Sequence, residues 1–420
     1  MKTVIELLNA NAGVSDYKIN IHNKESYELF FVKGKLETVR ATNTCDKEVT
    51  VYADHGEFKG DSQFFVYPST TPQQITDMIQ EAVAKALMIN NKNYDLPGGE
   101  TGEYTVPSNF AEYEPANLAA VISKAVFDAN TVENAAQNSV EVFINKHTET
   151  VLNSRGLNKT QVRYDAMVES IPTYNGETQS VELYEQYNFS SLDLDALTAE
   201  IAGKMAEVKA RYEAVTPKQA LECPVVLNQL ELAQLFGRIV RDLNYSTVYS
   251  HSNLFSKGDA IQKELTGDPI GITMKGQSEG NVRSNQFDAD GLSLGEIRIV
   301  DGGKAVNYYG ANRFGQYLGE TPTGNLQCVC VDGGTAVLPE TYLEVLSMSG
   351  LQVDFHNDYI GGEIRLAYIH DGTSVTPVTG ISISGKASQV LNTIRLSSNI
   401  VTHNGYVGPE KALLTGMQIF

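Results

Sequence analysis

Residues 223–243 read Cys-Pro-Val-Val-Leu-Asn-Gln-Leu-Glu-Leu-Ala-Gln-Leu-Phe-Gly-Arg-Ile-Val-Arg-Asp-Leu. The opening five residues are a short apolar run with β-branched side chains, which predicts a buried strand. The remainder has helical period. Leu232, Leu235, Phe236, Ile239, Val240 and Leu243 step by three and four and share one face. Asn228 with Glu231 three residues on predicts a capping pair. The opposite face carries Gln234, Gly237, Arg238, Arg241 and Asp242. This strand–helix unit divides a helix-containing first half from a second half rich in short strands.

The first half reads as one unit written twice. Tyr17–His22, Tyr27–Val32, Leu36–Asn43, Glu48–Asp54 and Glu57–Tyr67 alternate like strands, with breaks at Gly34 and His55-Gly56. Thr71-Pro72 then opens a helix, with Pro at its first position. Residues 139–212 repeat the order. Val140–Ile144 and Thr160–Ser170 read as strands, Asn153-Ser-Arg-Gly156 stands where Gly34 stood, and Asn175-Gly176 is a hairpin signal. Val181–Phe189 returns. Ser190 and Ser191 are the expected caps of a helix with stripe Leu194, Leu197, Ile201, Met205, Val208 and Tyr212. The hairpin glycine precedes the cap by 15 residues in both copies, 56 to 71 and 176 to 191, which favours internal duplication. Between the copies, residues 91–115 are loop-like, and Ala116–Phe127 reads as a helix. His22, His55 and His147 look isolated, near turns or strand ends, and are expected to be structural.

The second half reads as β-rich. Gly295–Tyr309 is a hairpin around Asp301-Gly302-Gly303-Lys304, and Glu363–Val378 is another. Ile381–Ser384 is a further strand, and Ala387–Leu396 a short helix. The expected class is α+β. A duplicated α/β domain spans 1–215, with copies at about 17–90 and 139–212. A β-rich, barrel-like domain spans 220–420.

The chain has 420 residues, 42% hydrophobic, and a net charge of −19. That acidity argues against direct nucleic-acid contact and reads otherwise as solubility. No apolar run approaches the roughly 18 residues of a membrane span. Glu6 interrupts the only apolar patch at the start, so Met1–Asn9 reads as a short helix rather than an export signal. Four cysteines, Cys45, Cys223, Cys328 and Cys330, are too few for a disulfide scaffold and are expected to be thiols in a cytoplasmic protein.

Known catalytic patterns are missing. Phe287-Asp-Ala-Asp-Gly291 begins like a calcium loop, but the twelfth position from Asp288 is Ile299, not a carboxylate. Its other reading is a turn with aspartate caps. Gly310-Ala-Asn-Arg-Phe-Gly-Gln316 has glycine spacing without the Lys and Ser/Thr of a phosphate loop. Cys328 and Cys330 share a strand face but lack the spacing and further ligands of a zinc site. His251, His356, His370 and His403 are scattered, and no nucleophile elbow occurs.

The order of motifs in the second half resembles the TldD/PmbA family, also called modulators of DNA gyrase or TldD/TldE proteases. Phe287–Gly291, the Asp-Gly hairpin, Tyr309-Gly-Ala-Asn-Arg-Phe-Gly315 and Pro322-Thr-Gly-Asn325 carry it. Asn153-Ser-Arg-Gly-Leu157, Glu363–Gly372 with Pro377-Val378, and Ile383-Ser-Gly385 through Ile394 extend it over nearly the whole chain.

The resemblance implies a duplicated first domain, a barrel-like second domain and a role in proteolysis. In the TldD branch, the helix after a strand like Pro224–Leu227 carries His-Glu-x-x-x-His. Two imidazoles bind zinc, the Glu activates its water, and a later Cys completes the site. Placed without gaps, that motif falls on Gly237-Arg-Ile-Val-Arg-Asp242. Gly237, Arg238 and Asp242 thus replace its functional positions, and a guanidinium cannot act as the base. No His lies between His147 and His251, so no shift of register restores the motif.

The chain therefore resembles the PmbA/TldE branch. This implies a non-catalytic subunit of a cytoplasmic zinc metallopeptidase that processes peptides. No cofactor is expected in this chain, and zinc is expected in a TldD-like partner. A homodimer is expected when the chain is isolated, with no membrane and no nucleic-acid contact. Phe287, Asp288, Asp290, Gly291, Arg313, Gly315, Thr323, Gly324 and Asn325 are the candidate peptide- or partner-lining residues. The alternative is a stand-alone regulatory protein acting on a topoisomerase or another protein without proteolysis.

Overall fold

The structure, a computed structural model, describes residues 1–420. The duplication is visible in it. Helix α1 (Lys2–Ala10), strands β1 (Asp16–Val32), β2 (Lys35–His55) and β3 (Phe58–Phe65), and helix α2 (Pro72–Ala86) form one copy. After strand β4 (Thr101–Thr105), the order recurs as α3 (Pro115–Asp128), β5 (Ala135–Asn153), β6 (Asn158–Asn175), β7 (Ser180–Glu182), β8 (Glu185–Phe189) and α4 (Leu194–Glu213). All eight strands form one sheet, in the order β3-β2-β1-β5-β6-β4, with β7 and β8 also on β6. The copies meet at an antiparallel β1–β5 pair running from Lys18 opposite Asn153 to Val32 opposite Ser139.

Thr71 caps α2 as expected, in a full capping box with Gln74. The second copy differs, because the cap of α4 is Asp193 and not Ser190 or Ser191. The backbone there is already engaged. Asn109 bonds both the amide and the carbonyl of Leu192, and Ser108 donates to the Ser190 carbonyl. These bonds hold residues 190–192 outside the helix, and the next carboxylate, Asp193, caps it.

The sheet is amphipathic because alternate side chains point to opposite faces. Ile19, Leu29, Val140, Val142 and Ile144 lie in two apolar cores with residues of α1, α2, α3 and α4. Lys18, Ser26, Glu28, Asn145 and His147 alternate with them and are buried polar groups.

In the second half, β9 (Val225–Asn228) and α5 (Gln229–Asp242) follow the expected bounds, and Asn228 accepts the Leu230 amide at 2.8 Å. Glu231 does not close the capping box. It is a buried residue instead. Helix α6 (Tyr245–Tyr249) follows. Strands β10 (Ile272–Lys275), β11 (Glu296–Asp301), β12 (Lys304–Ala305) and β13 (Cys328–Val331) join Ile400–His403 and Tyr406–Pro409 in a six-stranded sheet. A nine-stranded sheet holds β9, β14 (Thr341–Met348) and the long strand Tyr359–Asp371. The apolar face of α5 is fully absorbed into a core that draws on both sheets.

Two expected elements are shorter in the structure. The return strand of the 295–309 hairpin stops at Ala305, because Tyr309 exchanges backbone bonds with Leu243 and Tyr245 near the end of α5. Helix α8 (Ala387–Thr393) ends before Leu396, because Arg395 and Leu396 pair with Leu413 and Ala412. Helix α7 (Asn312–Leu318) lies within the Gly310–Asn325 segment. No helix is long and apolar enough to cross a membrane.

Candidate functional site

The polar face of α5 opens on a cavity of about 620 Å³ lined by Gly237, Arg238, Arg241, Asp242, Tyr309 and His356, among others. Arg238 and Arg241 are exposed. Asp242 is buried, and its two oxygens accept the amides of Leu254 and Phe255, each at 2.8 Å. These donors do not fit a zinc ion. Guanidinium has no lone pair to give, Asp242 is committed to backbone, and His356 is a lone imidazole.

The Phe287–Asn325 segment joins the two halves. Asp288 organises its loop: Oδ1 accepts the amides of Asp290 and Leu292, and Oδ2 accepts that of Asn325. Burial, helped by the Asp290 charge, still raises the Asp288 carboxyl above its usual range. Asp290 pairs with Lys18 of β1 at 2.6 Å. The fully buried Lys159 of β6 donates to the Gly291 carbonyl at 3.0 Å. Gly291 has φ +84°, and a Cβ there would meet the Leu157 side chain at 2.6 Å. Phe287 packs with Val151 and Leu157.

Arg313 reaches a different part of the first half. It donates to Asn91 at 2.6 Å and lies over the rings of Tyr94 and Tyr317. Gly315 approaches Pro322 and Tyr245 too closely for a Cβ to enter freely. Thr323 accepts the Gly310 amide, and Gly324 has φ +78°.

Three of the sequence candidates, Phe287, Asp288 and Asn325, line a cavity of about 330 Å³ between the halves, and the others lie outside it. Its opposite wall is the polar face of the first sheet, with Asn20, His22, Glu149, Gln161 and Arg163. Register explains this wall. His22 stands opposite Glu149, and His147 lies one step along the same face. On the other side of β5, Glu149 faces Gln161 and His147 faces Arg163.

His22 Nε2 lies 2.9 Å from His147 Nδ1 and 3.8 Å from Glu149 Oε1. His147 Nε2 lies 2.7 Å from Asp165 Oδ2. Glu149 accepts Gln161 Nε2 at 2.8 Å and Arg163 Nη2 at 3.0 Å. Burial pushes the Glu149 carboxyl up, but Arg163 and Gln161 outweigh it and hold it below the usual range. Burial also lowers the His22 imidazole, against the pull of Glu149, which leaves it neutral near pH 7.

His22 and His147, which look isolated in the sequence, are thus brought together, whereas His55 lies apart and bonds Ala53 and Asn90. The clue was alternation. His22 shares a face with Lys18, Asn20, Lys24 and Ser26, and His147 and Glu149 share one on β5. Only the pairing of the two copies puts those faces side by side. Cys328 is fully buried with its thiol pushed up to about 11 by burial, in keeping with a small apolar role.

Fold and site together define a two-part α+β protein: a duplicated sheet docked through its polar face on a β-rich domain with a central helix. Residues 220–419 match the family model for the PmbA/TldA metallopeptidase C-terminal domain. The match places the second half of the chain in that family domain. Among solved structures, TldE from Thermococcus kodakarensis superposes with a TM-score of 0.81 at 14% identity, covering 100% of this chain and 99% of that one. A Thermotoga maritima protein described as a "putative modulator of a DNA gyrase" gives 0.78 at 13% identity, covering 100% and 99%. A Bacteroides thetaiotaomicron protein of like description gives 0.79 at 12% identity, covering 100% and 97%. At these identities the likeness is one of fold. No curated protein matches the chain by sequence.

Proposed function

We propose that this chain is a TldE/PmbA-like subunit that supplies scaffold, and no zinc-bearing helix, to a cytoplasmic metallopeptidase acting on peptides. The observation that carries the reading is α5. It keeps the strand–helix frame of the family domain but presents Gly237, Arg238 and a backbone-committed Asp242 where the TldD branch would present ligands and base. The zinc for peptide hydrolysis then belongs to a TldD-like partner. Phe287, Asp288 and Asn325 form part of the internal surface along which peptides pass.

The test is co-expression with a paralogue from the same genome that carries His-Glu-x-x-x-His. The two chains are expected to co-purify and to show chelator-sensitive peptidase activity that neither shows alone. Separate elution together with no joint activity would discard the reading. The descriptions carried by the two bacterial fold neighbours favour a second reading, action on a topoisomerase. Capture of gyrase by the purified chain alone would support it.

A further inference from the structure

We propose that His22, His147 and Glu149 form a binding site for a divalent transition-metal ion, with zinc as the best-suited ion, in the wall of the cavity between the two halves of the chain. One ligand atom from each residue lies within 4.8 Å of the others. Two imidazoles and one carboxylate are a ligand set that zinc accepts, with a fourth position left for water or an exogenous oxygen. Tetrahedral geometry at ordinary zinc bond lengths puts neighbouring ligand atoms roughly 3.3 Å apart. The 2.9 Å between His22 Nε2 and His147 Nδ1, and the 3.8 Å between His22 Nε2 and Glu149 Oε1, bracket that value.

The surrounding groups are arranged as a metal site needs. The Asp165 carboxylate lies 2.7 Å from His147 Nε2, a charge that favours a proton on that nitrogen, while Nδ1 faces His22. Gln161 and Arg163 orient Glu149, and Oε1, the oxygen on the His22 side, accepts from Arg163 Nη2 alone and keeps a free lone pair. Arg163 also brings a positive charge, which weakens the site and favours ions that bind imidazole tightly over calcium or magnesium. The ligands stand on the paired central strands, where backbone bonds on both sides hold them. His22 and Glu149 line the cavity that Phe287, Asp288 and Asn325 close from the other side, so a fourth ligand would come from that cavity. A carbonyl or carboxylate oxygen of a peptide held there is the class of ligand it would take. The site owes nothing to α5, so it is separate from the family's zinc helix.

The test uses the full-length chain, stripped with chelator and titrated with zinc by calorimetry, with cobalt(II) as an optical probe. One equivalent of zinc is expected, and cobalt should give the strong visible absorption of a four-coordinate ion. His22→Ala and His147→Ala should each weaken zinc binding at least 100-fold. Glu149→Gln should weaken it about 10-fold, and Arg238→Ala should leave it unchanged. Circular dichroism checks that the variants fold. Should they fail to fold, the wild-type cobalt spectrum alone decides. No four-coordinate cobalt band in the wild type overturns the proposal, as does one equivalent of zinc that survives the double His22→Ala/His147→Ala change. Failure to co-purify with a zinc-helix paralogue would sink the subunit reading and leave this result standing.

Discussion

Helix α5 and the β1–β5 pair present polar groups in opposite ways. On α5 the polar residues are neighbours in sequence. Gly237, Arg238, Arg241 and Asp242 line one cavity, yet they make no ligand set. On the β1–β5 pair the polar residues come from segments about 125 positions apart, and they converge within hydrogen-bonding reach. The helix is where the family's pattern directs attention; the sheet is where imidazoles and a carboxylate meet. The contrast teaches that motif loss at one position says nothing about chemistry assembled by strand pairing elsewhere. It also shows two uses of burial. The inner face of α5 is packed for stability, whereas the polar face of the sheet is buried against a cavity and keeps its charges in networks.

The sharpest break of the comparison is Phe236→Ala on the inner face of α5. Phe236 is fully buried and stacks on Tyr406 with ring centroids 6.4 Å apart. Truncation should cost about 3–5 kcal/mol through lost burial and the cavity left behind. Denaturant unfolding reads this directly, and a loss under 1 kcal/mol would mean that the helix is not a packing centre.

A smaller effect is expected from Glu231→Gln, at the start of the same helix. Burial pushes the Glu231 carboxyl from 4.5 to about 7, with Lys204 opposing and Glu185 and Glu207 adding to it. Its Oε2 is buried without a partner. Because the folded state holds this proton more tightly than the unfolded chain, stability falls as pH rises through the window from 4.5 to about 7. Glu185, also pushed up to about 7 by burial, adds to the same slope. The neutral Gln should stabilise the chain at pH 8 by about 1–3 kcal/mol and leave it little changed at pH 4. Equal melting curves for both proteins at pH 4 and pH 8 would show that Glu231 is not held neutral.

The smallest effect belongs to Arg238→Ala. The side chain is exposed on the polar face, so unfolding free energy should move by less than about 0.5 kcal/mol. Any change should appear in partner or peptide binding instead. A stability loss above 1 kcal/mol would assign Arg238 a structural duty that its surroundings do not reveal.

Local chemistry was legible from residue order. The strand–helix unit at 225–242, the capping box at Thr71, the turn built by Asp288 and the repeated element order all follow from spacing, caps and turn residues within a few positions of each other. The displaced α4 cap was not legible, because it depends on Asn109 meeting Leu192 across the fold. The truncated hairpin depends likewise on Tyr309 finding the end of α5.

The candidate residues Phe287 to Asn325 were readable as a turn-rich segment. Their division between the cavity wall and the contact between the halves was decided by which strand each one reaches. Sequence by itself determined the class α+β, the duplication and the amphipathic character of α5, since these rest on periods of two and 3.6 residues along one chain. Tertiary structure alone decided that His22, His147 and Glu149 share one site. Antiparallel register between the two copies sets which distant side chains stand opposite each other, and a slip of one residue would send them to the other face.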